Sequence, residues 1–219
     1  MKNLIYIFTI LTFLISCSKK KEKKESERAS ETTELNIESE KLSLYKNSNN
    51  TLAKWMKYYQ ELEPNFQLIY FEFESVDSLQ LMQGNVFGNF DKNFDPIYSD
   101  FIVHRTDKKQ YVDFDSYQWT LDENETPLFS PDQEINLIDQ ENQTVTRIGF
   151  RGPSQWVEDA FWENDSTIVL LENSYEKQPI ISKLDLSKKI IKTYIYKDSL
   201  DFESKYSELR FKEKGLKYE

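Results

Sequence analysis

The sequence predicts a mostly β protein, built of short antiparallel strands preceded by one short helix. Three observations predict it. Aromatic residues make up 15% of the chain, against five glycines in all, a composition that favours strands. Runs of β-type residues recur, separated by short polar stretches such as 139–142 and 163–166, the pattern of strands joined by tight turns. Similar hairpin segments return at an interval of 46 residues, which falls in the range of one sheet-forming repeat.

In chain order, Met1-Lys2-Asn3 leads into an apolar run over residues 4–15. A basic start before a short apolar segment is the layout of an export signal. The run is shorter than the roughly 20 residues that cross a bilayer as a helix. It ends in Leu14-Ile15-Ser16-Cys17, which resembles the lipobox of bacterial lipoproteins: an aliphatic residue, a tolerant position, a small residue and the cysteine. The resemblance implies diacylglyceryl transfer to the Cys17 thiol and cleavage after Ser16. Residues 1–16 would then be a signal peptide. The mature chain would be anchored in the cell envelope, at the outer membrane or a periplasmic face, by fatty acyl groups such as palmitate. Each buried methylene contributes about 0.8 kcal/mol, so two chains hold stably where one does not. Two other readings of these residues stay open: Ser16-Cys17-Ser18 as a small-x-small site for ordinary signal peptidase, and the lysines that follow as a stop to export. Cys17 is the only cysteine, so no intramolecular disulfide can form.

Residues 17–42 read as a tether. Lys19, Lys20, Lys21, Lys23 and Lys24 open it, and a stretch rich in Glu, Ser and Thr follows. It has too little apolar surface to offset the entropy of ordering, which predicts disorder. Residues 1–24 carry six Lys and one Glu, a net of +5, so a chain of net charge -10 leaves -15 for the remainder. An acidic body excludes nucleic acid as a partner, since that needs a basic footprint. A basic foot under an acidic body suits a protein that stands off a membrane surface.

Residues 43–219 are long enough for a single domain with a real core. Leu52, Trp55, Met56, Tyr59 and Leu62 fall on one helical face; Ser48–Thr51 offer capping residues and Pro64 a stop. Strands are expected over 66–73, 101–103, 111–114, 134–138, 144–150, 157–162, 167–171, 179–186 and 189–196.

The 46-residue recurrence pairs Ile135-Asn136-Leu137-Ile138-Asp139 with Ile181-Ser182-Lys183-Leu184-Asp185, and Val145 with Ile191. A second pairing, 43 residues apart, sets Trp119-Thr120-Leu121-Asp122 beside Trp162-Glu163-Asn164-Asp165. Residues 119–196 resemble β-propeller blades in this period, in the hairpin Leu184–Lys189 and in Phe129-Ser130-Pro131-Asp132, although Gln133 stands where a blade glycine usually follows. The resemblance implies antiparallel blade-like sheets, a small or partial propeller. A helix followed by a long sheet also suits the half-barrel of lipoprotein carriers.

Residues for chemistry are few. His104 is the only histidine and sits in a strand, where it reads as structural; histidine-assisted nucleophilic catalysis would need neighbours around it. Zinc needs a ligand cluster, and neither Asp122-Glu123-Asn124-Glu125 nor Asp139-Gln140-Glu141-Asn142 has the alternation of an EF-hand loop. Gly149 and Gly152 are too isolated to cradle phosphate. No metal or cofactor is therefore expected. Glu72 with Glu74, and Asp113 with Asp115, are i, i+2 pairs, each on one strand face. They read as solvated, although paired carboxylates can do acid–base work. In the segment 150–156, Arg151 and Trp156 are residue types enriched at binding hot spots, while Trp156 is expected to pack into the core. The reading is an envelope binding or scaffold lipoprotein with an envelope protein or a glycan as partner. The alternatives are an envelope hydrolase or enzyme inhibitor using Asp113 and Asp115, and an apolar-ligand carrier with an open face beneath the Trp55 helix.

Overall fold

The computed structural model describes residues 49–217. Cys17, the signal segment and the tether lie outside these residues. Helix α1 (Asn50–Leu62) opens on Asn49, whose side chain accepts from the Thr51 amide at 2.8 Å. Leu52, Trp55, Met56 and Tyr59 are buried as their spacing requires, but Leu62 is 52% exposed and lies off the core. The strand expected over 66–73 is displaced. Phe66 is fully buried against Tyr59, with ring centroids 4.7 Å apart, and a 3-10 turn over Leu68–Tyr70 precedes β1 (Phe71–Ser78). The ladder begins only where a neighbouring strand supplies partners, at Phe71 opposite Tyr196.

The remaining strands are β2 (Met82–Gln83), β3 (Val103–His104), β4 (Gln110–Asp113), β5 (Trp119–Leu121), β6 (Pro127–Phe129), β7 (Gln133–Asp139), β8 (Thr144–Arg151), β9 (Gln155–Asn164), β10 (Thr167–Ser174), β11 (Ile180–Asp185) and β12 (Ile190–Tyr196). A second helix, α2 (Tyr206–Glu213), follows. One sheet runs β1-β12-β11-β10-β9, a second β2-β8-β7-β4-β3, and β5-β6 pair apart from both. The fold is mostly β and antiparallel with two short helices, and no barrel closes among the described residues. The strands divide between two sheets rather than curling as one half-barrel.

Each large sheet is a four-stranded meander, β9 to β12 or β3-β4-β7-β8, with an earlier strand added outside its last one. The 46-residue interval corresponds to this equivalence. Asp139 and Asp185 end equivalent strands, and each accepts at 2.9 Å from an amide three residues on, Asn142 or Lys188. Gln143 and Lys189 then take equivalent left-handed positions, φ 51 and 54. The tryptophan pairing is not structural. Trp119 lies in the β5-β6 hairpin, whereas Trp162 lies on β9, opposite Ile168. The Ser130-Pro131-Asp132 turn leads into β7, the third strand of its meander.

The layers follow from strand alternation. Val169, Leu171, Ile181 and Tyr194 cluster with Trp55 and Tyr59 of α1. Ile168, Leu170 and Leu184 cluster with Val112, Phe114, Ile135 and Ile148 of the second sheet. The first sheet is therefore the middle of three layers, which is why all eight residues of β10 are buried. A third cluster, Tyr98, Phe101, Trp119 and Phe211, joins the β5-β6 hairpin to α2.

Candidate functional site

Asp113 and Asp115 are buried, not solvated. β4 ends at Asp113, whose Oδ1 accepts from the amides of Asp115 and Ser116 at 3.0 Å each and whose Oδ2 accepts from the Ser116 hydroxyl. Burial pushes its carboxyl above the usual range against these donors. Asp115 is gripped by the Arg210 guanidinium at 2.6 and 2.9 Å and accepts from Trp119 Nε1 at 3.0 Å. Arg210 in turn lies over the Phe114 ring, 4.8 Å from its centroid. This constellation is a closed structural lock, with no room for a substrate between the two acids. Glu72 and Glu74 are exposed.

The other sequence candidates lie apart from one another. His104 is exposed on β3, 5.5 Å from the Tyr111 ring, and partial desolvation lowers its pKa, with Lys108 adding to the effect. Asp122 closes the β5-β6 turn by accepting from the amides of Asn124 and Thr126 at 2.8 Å. Among the described residues no cluster of three His, Cys, Asp or Glu could hold a metal. The space beneath Trp55 is filled: its ring meets Tyr59, Phe66 and Phe71 at 4.8, 5.7 and 6.0 Å. The open apolar face that a carrier needs is not found there.

Residues 150–156 do meet a cavity. Arg151 ends β8, Gly152 to Ser154 turn, and Gln155 and Trp156 begin β9. Gly152 has no neighbour within 4 Å of where a side chain would start. Pro153 sets a fixed φ in the turn. The Tyr175 amide donates to Ser154 O at 2.8 Å, holding the turn against β10. Trp156 is half-buried rather than in the core. It lines an open groove of about 230 Å³ together with Gln118, Phe129, Gln155, Ser204 and Lys205.

The groove wall is held from behind by buried groups. Arg151 pairs with the buried Glu172 at 2.5 Å, and Glu172 accepts from Gln155 Nε2 at 2.7 Å. The buried Gln133 accepts from the Val157 amide at 2.7 Å and donates to Phe114 O at 3.0 Å and Gln118 Oε1 at 2.9 Å. Gln133 thereby ties β9, an edge of the first sheet, to the second sheet. Behind Trp156 lies Glu158, fully buried, whose Oε2 accepts from Trp55 Nε1 at 2.7 Å and Tyr59 OH at 2.8 Å. Burial raises the Glu158 pKa; Ser204, Trp55, Tyr59 and Trp156 lie against the carboxyl and favour its charged form. Its Oε1 completes no hydrogen bond of good geometry. Next along the strand, Asp159 accepts from Tyr206 OH at 2.9 Å, and burial raises its pKa too.

Sequence reasoning pointed to Arg151 and Trp156 but missed Glu158, Gln118, Gln133 and the Ser204–Glu208 wall. The pair Glu158-Asp159 sits between two apolar residues in Val157-Glu158-Asp159-Ala160, a weak sign of a carboxylate turned inward. Comparison with protein-family models, curated proteins and solved structures finds no match for this chain.

Proposed function

We propose that the chain is an exported lipoprotein, cleaved before Cys17 and held to the cell envelope by acyl groups on that cysteine, whose β-rich body is a binding module. The observation that carries the anchoring is the run of residues 4–15 ending in Leu14-Ile15-Ser16-Cys17. Binding rather than catalysis is supported by the environment of the acids. The paired carboxylates best placed for acid–base work, Asp113 and Asp115, are sealed by Ser116 and Arg210. The groove beside Trp156 is open, and two amides and two aromatic rings, Gln118, Gln155, Phe129 and Trp156, contribute to its lining. No helix among the described residues is long and apolar enough to cross a membrane.

Growth with a radiolabelled fatty acid tests the anchor. The chain is expected to take up label and to enter the detergent-rich phase of a detergent phase separation, and Cys17→Ala to abolish both. Label that survives the substitution, or a mature chain that begins at another residue, refutes the reading.

A further inference from the structure

The groove beside Trp156 carries an inference about the class of ligand, one that rests on the binding-module reading. Two amides line the groove with the indole, and buried partners fix which way each points. Glu172 is a carboxylate paired with Arg151 and can only accept. The Gln155 amino group must therefore face it, which leaves the Gln155 carbonyl turned outward. Gln133 is oriented by the Val157 amide and by Phe114 O. It donates to Gln118, so Gln118 turns its carbonyl inward and its amino group outward. Among the described residues neither outward end has a hydrogen-bond partner. The groove thus presents one fixed donor, one fixed acceptor and an aromatic ring along its lining. Phe129, 42% exposed, adds a second ring.

The charges at the rim select against ions. Lys205 and Glu208 approach each other at 3.9 Å, so the wall has no unopposed charge with which to draw one in. The volume of about 230 Å³ lies below the roughly 300–1,000 Å³ of drug-sized pockets, a scale of one ring more than of an extended chain. An aromatic face carries negative electrostatic potential and attracts the weakly positive C–H groups on one side of a pyranose. Neighbouring sugar hydroxyls each donate and accept, which matches a fixed amino group beside a fixed carbonyl. Because buried groups hold these side chains, little conformational entropy is lost on binding.

We propose that this groove is a binding site for a neutral saccharide, with one pyranose ring on Trp156 and its hydroxyls between Gln118 and Gln155. Titration of the detergent-solubilised full chain with maltotriose, cellotriose, xylotriose, mannotriose and chitotriose, followed by calorimetry and tryptophan emission, tests it. At least one sugar is expected to bind saturably, with a shift in emission. Trp156→Ala should weaken that binding tenfold or more, and Gln118→Met severalfold, while the far-ultraviolet dichroism stays native. If Trp156→Ala fails to fold, Gln118→Met and Phe129→Ala carry the test. Failure of every sugar to bind overturns the proposal, as does binding that survives the substitutions. Saturable binding of uncharged tripeptides in place of all five sugars would also overturn it, by making the occupant a peptide. Absence of binding by a chain that carries lipid on Cys17 refutes the saccharide alone; binding by an unlipidated chain refutes the anchor alone.

Discussion

Arg210 is 3% exposed, and among the described residues its ionic partner at hydrogen-bond distance is Asp115. Taking a guanidinium and a carboxylate out of water is costly, and the pair offsets that cost only while both members are present. Arg210→Met should therefore cost about 3–5 kcal/mol, because it leaves a bare buried carboxylate. The double variant with Asp115→Asn should lose clearly less than the sum of the two single changes, which urea unfolding of all four proteins would measure. Strict additivity would mean that the two groups do not stabilise each other. Asp115 stood out in the sequence as half of an i, i+2 pair, but nothing local announced its partner. Arg210 is 95 residues away, and burial at such a distance is set by tertiary contacts that no short window contains. The groove was legible to the same degree. Arg151 and Trp156 sit together in one segment, whereas Gln118 and Ser204 reach them from other parts of the chain.

The hairpins have a regular chemistry of their own. In both equivalent turns an aspartate accepts from an amide three residues on, and the residue directly after that donor is left-handed. A non-glycine residue in that conformation costs roughly 1–2 kcal/mol, so Lys189→Gly should raise stability by up to about 1 kcal/mol once glycine's greater unfolded-state freedom is allowed for. Lys189→Val should lower it, and chemical denaturation of both variants gives the comparison. Long strands with alternating or continuous apolar character, such as β7 to β12, were legible to within a few residues. β2, β5 and β6 span two or three residues, too few for a period to show. Helix α2 lacks a side-chain cap at Lys205 and buries only Tyr206, Arg210 and Phe211, so one of its three inward residues is charged and the apolar stripe is missing. β1 was misplaced because Phe66 and Leu68 look like strand residues yet serve the cluster beneath α1.

At the scale of the whole molecule, two sets of acids pull stability in opposite directions with pH. Burial raises the carboxyls of Asp113, Glu158 and Asp159 above their unfolded values of 3.8, 4.5 and 3.8. The folded state then holds protons that the unfolded chain has released, so stability declines as pH climbs from those values through the raised ones. Asp107 and Asp185 are held at about 2, by Arg105 in the first case and, against partial desolvation, by Ser187 and Lys188 in the second. Their contribution is complete above the unfolded value and is lost as pH falls toward 2. Thermal melting should therefore pass through a maximum and decline as pH rises beyond it, through the raised values of the buried acids. Glu158→Gln, which keeps an acceptor for Trp55 and Tyr59, should flatten the decline on the alkaline side. A melting temperature that holds level up to pH 8 in the unaltered protein would contradict this. The order of the strands also has a consequence in time. In each large sheet an early strand, β1 or β2, lies outside the last strand of its meander. A nascent polypeptide emerging from its amino end must hold Phe71 in waiting until Tyr196 has been synthesised, so the first sheet can reach its final width only once that residue is free, and any product cut short before residue 190 leaves β11 as a bare margin, with Phe71 and Phe73 unpaired, ready to stick to another copy.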